Sequence, residues 1–281
     1  MSPLAFTLVA FAASVGAGVL GSLLGLGGGI IVVPVLTLLL HVDIRYAIGA
    51  SIVSVIATSS GAAAAYVREH MTNLRVAMLL ELGTTTGALT GAYLAGVVGG
   101  RWLFLIFGLV LGYSALAMLR KRKDEAGIDV PPDRLADRLR LHDSYYDEAA
   151  GQTIEYRVTH APLGLGLMYV AGVVSGLLGI GSGALKVPAM DLAMRLPIKV
   201  STATSNFMIG VTAAASAGVY FARGDIDPFV AAPVAAGVLV GATAGSRLLG
   251  RLQSRTIRIV FIVVLLYVSG EMLWKGLRWT T

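Results

Sequence analysis

The sequence predicts an all-α polytopic membrane protein made of two tandem repeats. Each repeat is a glycine-broken helical hairpin followed by three transmembrane helices. Three observations predict this. The 281-residue chain is 56% hydrophobic and only 14% charged, with a mean hydropathy of +0.78, whereas a soluble domain carries about 25% charged residues. Apolar runs of about 20 residues, long enough to cross a hydrocarbon core, recur along it. Finally, Gly25-Leu26-Gly27-Gly28-Gly29 with Pro34 returns as Gly179-Ile180-Gly181-Ser182-Gly183 with Pro188, shifted by 154 residues.

The elements follow in order. Residues 1–119 form the first membrane repeat. The run from Pro3 to Leu24 lacks a basic leader and reads as a retained membrane segment. It breaks at Gly25–Gly29. The apolar piece Ile30–Leu40 rises only about 16 Å as helix, roughly half a bilayer, so 3–40 reads as a hairpin with a short second arm. His41-Val42-Asp43-Ile44-Arg45 ends it, and spans follow at 46–67, 75–98 and 102–119. Residues 120–160 form a hydrophilic insert, opened by Arg120-Lys121-Arg122-Lys123, a cytoplasmic marker. Within it, Asp133–Leu141 predicts a short helix and Ser144–Val158 a small hairpin. The insert has too few apolar residues for its own core and is expected to lean on the membrane domain. Residues 161–281 form the second membrane repeat.

The repeat runs without a gap. Ser51 matches Ser205, Thr58 matches Thr212, Tyr66 matches Tyr220, and Gly83, Gly87 and Gly91 match Gly237, Gly241 and Gly245. Four-residue glycine spacing puts small residues on one helix face, which predicts close helix packing. Loop charges bear on orientation. With the insert inside, inverted repeats place Arg68, Arg75, Arg195, Lys199, Arg251, Arg255 and Arg258 inside, against Arg45, Arg101, Arg223, Lys275 and Arg278 outside. Parallel repeats reverse that balance, so inverted repeats are favoured. The acidic loop Asp225–Asp227 also sits better outside.

A helix that starts inside a membrane offers unpaired N–H groups and the positive end of its dipole to an anion. Gly25, Gly27, Gly28 and Gly29, with Gly179, Gly181, Ser182 and Gly183, are therefore candidate substrate-binding positions; the alternative is that they only permit tight turns. Lys186 lies at membrane depth, where a charge is expensive and usually functional. An anionic substrate or Asp191 would suit it as partner. Thr202, Ser205 and Asn206 are candidate ligands from the next span, with Ser51 as the polar match in the first half; interhelical hydrogen bonding is the competing role. Glu81 and Asp191 are candidate proton carriers, and Glu271 reads as interfacial.

Several classes are excluded or disfavoured. Without cysteine there are no disulfides or thiolate metal sites. The histidines lack metal-ligand spacing, and no P-loop, hydrolase elbow or HExxH motif is present. No cofactor or metal is expected. The net charge of +6 is read as cytoplasmic loops and not as nucleic-acid binding. The expected partners are a small anion and the lipid bilayer, and the oligomeric state stays open, a homodimer included.

The glycine breaks, the ungapped repeat, the run Ser175–Gly183 through Lys186-Val187-Pro188, Lys199-Val200, Thr204-Ser205-Asn206-Phe207 and Gly237 with Gly241-Ala242 together resemble the TauE/SafE sulfite exporter family. Ser182 stands where that resemblance expects glycine. The resemblance implies a bacterial or archaeal inner-membrane secondary transporter that exports sulfite, sulfoacetate or a related small anion. Proton-coupled alternating access around the paired breaks is the leading expectation. A passive anion channel and a membrane-embedded enzyme acting on a lipid phosphate are the alternatives.

Overall fold

The computed structural model describes residues 2–68, 70–120, 131–179, 181–249 and 251–278. The cations at 121–123 and Ile180 of the second break therefore lie outside the described residues.

Helix α1 (Pro3–Leu24) stops where Gly25 turns left-handed, with φ at 70°, the ordinary way a helix ends on glycine. The chain restarts as α2 (Gly29–Pro34) after Gly28, also left-handed. Pro34 has no N–H to continue the ladder, and the next turn, Val35–Leu39, widens to π-helical geometry. Helices α3 (Ile44–Arg68), α4 (Leu74–Ala95) and α5 (Gly100–Arg120) follow. The same order then recurs. Helix α7 (Ala161–Leu178) ends on left-handed Gly179, α8 (Gly183–Pro188) passes into the π-helical turn Ala189–Ala193, and α9 (Ile198–Ala222), α10 (Pro228–Leu249) and α11 (Ser254–Leu277) complete the chain. Four of these segments are long and apolar enough to cross a membrane: Pro3–Leu24, Ala161–Leu178, Pro228–Leu249 and Arg255–Leu277.

The halves interlock. Helix α4 packs on α7, and α1 packs on α10. A Cβ on Gly83, Gly87 or Gly91 would lie within 2.8 Å of the carbonyl oxygen of Leu165, Tyr169 or Val173 on α7. A Cβ on Gly237, Gly241 or Gly245 would meet Phe11, Val15 or Val19 on α1 in the same way. Helix packing is therefore the role of these glycines. Helix α3 packs on α9, and α5 on α11.

Contacts sort the loops onto two ends. One end carries the insert. There Asn73 Nδ2 donates to Leu141 O, Arg75 donates to Arg140 O, and Thr159 N donates to Met194 O. The other end gathers Phe6 stacked on Phe229, Gly49 tight against Asp225, Arg223 on Ala92 O and Lys275 on Thr37 O. The α1–α2 arm thus starts and finishes at one end, and the α7–α8 arm starts and finishes at the other.

The insert contains the predicted helix as α6 (Arg134–Arg138) and the predicted hairpin as β1 (Asp143–Asp147) paired antiparallel with β2 (Gln152–Tyr156). Asp133 caps α6 through Leu135 N and Ala136 N, and its other oxygen takes Ala161 N, the first amide of α7. Burial pushes this carboxyl up, but those amides and His160 outweigh it and leave it below its usual value. Ala136, Leu141, Tyr145 and Tyr156 pack against Val76, Leu80, Met190, Met194 and Met208. The insert shares its apolar core with the helices.

Lys199 corrects one reading. The sequence makes it a loop cation, but it is fully buried at the start of α9, with Nζ donating to Asp147 Oδ1 at 2.8 Å. Burial raises the Asp147 carboxyl, but Lys199 and the amides of Ala149 and Ala150 pull it down further, to a net value below 3.8.

Candidate functional site

The two breaks touch. A Cβ on Gly183 would lie 2.0 Å from Gly25 O and 2.7 Å from Leu26 Cα, so only glycine allows this approach of backbone to backbone. Both breaks lie under the same two side chains. A Cβ on Gly27 would sit 3.1 Å from Ile209 Cγ2 and 3.3 Å from Val55 Cγ1; on Gly181 those distances are 2.6 and 2.8 Å. Val55 and Ile209 occupy matching positions on α3 and α9.

Hydroxyls on the long helices hold the breaks in place. Ser51 Oγ donates to Gly179 O, and Ser205 Oγ donates to Gly25 O, each at 2.8 Å. Tyr66 OH donates to Ser22 O and Tyr220 OH to Gly176 O. Thr58 Oγ1 bonds Gly27 O. Ser51 and Ser205, read as candidate ligands, have their hydroxyl protons committed to the fold; each satisfies a carbonyl orphaned where a helix stops. Part of the predicted amide supply is committed too. Leu26 N and Gly27 N both donate to Gly21 O, and Gly183 N donates to Gly181 O. With only six residues, α2 and α8 also have short dipoles.

Three residues of the second half that lie near the breaks hold unpaired polar atoms. Asn206 Nδ2 donates to Ser22 O at 2.7 Å, while Asn206 Oδ1 makes no hydrogen bond. Thr202 Oγ1 and Ser182 Oγ are also buried without a hydrogen-bond partner. Thr202 adjoins the first break, since a Cβ on Gly25 would lie 2.9 Å from its carbonyl. Ser182 holds the left-handed position before α8, with φ at 48°, strained for a residue with a Cβ. Buried polar atoms left unpaired cost about 1–3 kcal/mol each, so their presence at one place favours a ligand there.

Lys186, one turn into α8, is sealed from solvent, with relative exposure of 0%. Its Nζ donates to Thr212 Oγ1 at 2.7 Å and lies 3.7 Å from Glu81 Oε2. Thr212 Oγ1 donates to Glu81 Oε1 at 2.6 Å, and Thr85 Oγ1 donates to the same oxygen. The ion pair of Lys186 is with Glu81 of α4, not with the Asp191 partner considered from sequence. Asp191 is buried in the turn after α8. Sequence reasoning missed Thr212 as part of this site. Its signal was the repeat register, where Thr58 matches Thr212 but Val32 matches Lys186 and Ala235 matches Glu81. In that register a shared hydroxyl lies beside charges that are not shared.

Comparison with known proteins places the chain in a family. The family model described as "Sulfite exporter TauE/SafE" matches residues 10–272. The chain is 28% identical to "Probable membrane transporter protein YunE" of Bacillus subtilis (strain 168), over 93% of this chain and 95% of that one. It is 28% identical to a "Probable membrane transporter protein" of Xylella fastidiosa (strain 9a5c), over 90% of each. It is 26% identical to "Probable membrane transporter protein YdhB" of Bacillus subtilis (strain 168), over 82% of this chain and 85% of that one. No solved structure matches.

Proposed function

Because the chain belongs to the sulfite exporter TauE/SafE family, we propose that this membrane transporter is a proton-coupled secondary exporter of a small sulfur-containing anion across the cell's inner membrane. Sulfite, sulfoacetate and related sulfonates are the substrate class. The observation that carries the reading is the buried ammonium of Lys186, set one turn from a glycine break whose neighbours Ser182, Thr202 and Asn206 hold unpaired polar atoms. A compact oxyanion supplies the charge that Lys186 needs and acceptors for the hydroxyls of Ser182 and Thr202. The family and the relatives' printed names favour transport over lipid-phosphate chemistry.

Two inverted repeats, with the insert cytoplasmic, form the frame. The grouping of loops onto two ends supports this arrangement, as do the paired bonds of Ser51 with Ser205 and Tyr66 with Tyr220. Alternating access then rocks one half against the other where Val55 and Ile209 meet the breaks. Flux of labelled sulfite and sulfoacetate in proteoliposomes tests the proposal. Saturable flux above empty vesicles, lost in Lys186→Ala protein that still folds, is expected. Rates equal to empty vesicles for both anions would overturn it.

A further inference from the structure

We infer that Glu81 and the substrate anion are alternative counter-ions of Lys186, so that one proton binds with each anion. This rests on the transport reading above and names the device that couples proton to substrate within it. The premise is charge balance. Lys186 is fully buried, and an uncompensated ammonium there is prohibitively costly. In the structure Glu81 compensates it at 3.7 Å. A monoanion added beside an ionised Glu81 would leave one buried negative charge in excess. A monoanion added beside a protonated Glu81 restores neutrality.

The hydrogen bonds supply the means. Thr212 has one hydroxyl proton and two acceptors within reach, Glu81 Oε1 at 2.6 Å and Met208 O at 3.1 Å. Its counterpart Thr58 has two carbonyls within reach, Ser54 O, which matches Met208 O, and Gly27 O. Once Glu81 takes a proton, Thr212 turns to Met208 O. The link between Glu81 and the lysine is then broken, and the ammonium is released to the anion.

Glu81 is the less buried member of the pair, its side chain 14% exposed against 0% for that of Lys186. Glu81 lies about 10 Å along α4 from the end that carries the insert. Lys186 on α8 faces it. Helix α7 offers only Tyr169 as a titratable group, and α9 offers none between Lys199 and Tyr220. Asp191 is buried in the turn after α8, and the insert brings Asp147, paired with Lys199, to that end.

Calorimetric titration of purified full-length protein in lipid nanodiscs tests this, with methanesulfonate as the probe because it is a sulfonate monoanion whose charge is constant from pH 6 to 8. Buffers of differing ionisation enthalpy count the protons. The wild type is expected to take up one proton per anion, with affinity falling about tenfold per pH unit once Glu81 is ionised. Glu81→Gln is expected to bind with no proton uptake and less than a twofold change between pH 6 and 8. An infrared difference spectrum of the wild type provides a second readout that needs no variant. Adding methanesulfonate, which has no carboxylate of its own, should convert a carboxylate band into a carboxylic-acid band. Binding without proton uptake, uptake retained in Glu81→Gln, or an unchanged carboxylate band overturns the inference alone. No binding by the wild type at any pH overturns the transport reading with it.

Discussion

Lys199→Met removes the ammonium that joins the hydrophilic insert to α9. Both partners are buried, with relative exposures of 0% for Lys199 and 6% for Asp147, and they meet at 2.8 Å. Removing one member of such a pair leaves an uncompensated charge and costs about 3–5 kcal/mol. The lower end applies here, because Asp147 keeps the amides of Ala149 and Ala150 and the hydroxyl of Tyr145. About 3 kcal/mol corresponds to a fall in melting temperature of roughly 6–12 °C at 2–4 °C per kcal/mol. Thermal melting of the purified wild type, Lys199→Met, Asp147→Asn and the double variant measures it, with a coupling energy of about 1–3 kcal/mol expected from the cycle. The pH sign is fixed by Asp147, whose folded carboxyl lies below 3.8. Its stabilisation is complete above pH 3.8 and is lost as the pH falls through that lower folded value. The gap between wild type and Lys199→Met should therefore hold from pH 7 to 5 and shrink below about pH 4. Additive single variants, or a gap that widens on acidification, would refute the reasoning.

Other outcomes follow from the same structure. Gly183→Ala drives a methyl into Gly25 O and should destabilise by about 1–3 kcal/mol. Gly166→Ala, with nothing within 4 Å of the added carbon, should be neutral or stabilise by up to about 1 kcal/mol; paired melting curves check both. Ser205→Ala and Ser51→Ala each orphan a carbonyl at a break and should cost about 1–2 kcal/mol by the same assay; a cost under 0.3 kcal/mol in both would show that the hydroxyls do not hold the breaks. The absence of cysteine allows single-cysteine labelling in whole cells. Asp225→Cys should react with a membrane-impermeant maleimide and Asp143→Cys should not, and equal labelling would refute the inverted arrangement.

Much of this was legible in the residues. The break glycines announce themselves because few residues adopt a φ of 70° and none but glycine tolerates backbone contact at such a distance. The four-residue glycine spacing forecasts close packing for the same steric reason. The insert's hairpin and helix could be read from local alternation and from Asp133 as a cap, both of which act over a few residues. Lys186 stands out because charge at membrane depth is rare. What escaped were pairings between residues far apart in sequence. Nothing local distinguishes Lys199, buried against Asp147, from a cation in a loop. Nothing local assigns Ser51 and Ser205 to break carbonyls while leaving Thr202 Oγ1 unpaired.

By itself the sequence determined that the chain is helical and membrane-borne and where its helices break on glycine. Those properties depend on composition and backbone freedom, both carried by the chain locally. Only the tertiary structure decided that the breaks meet each other and that Glu81, not Asp191, stands as the ion partner beside Lys186 and Thr212. Such contacts depend on how α4, α8 and α9 pack. A side chain's pairing is set by what that packing brings within about 3–4 Å of it.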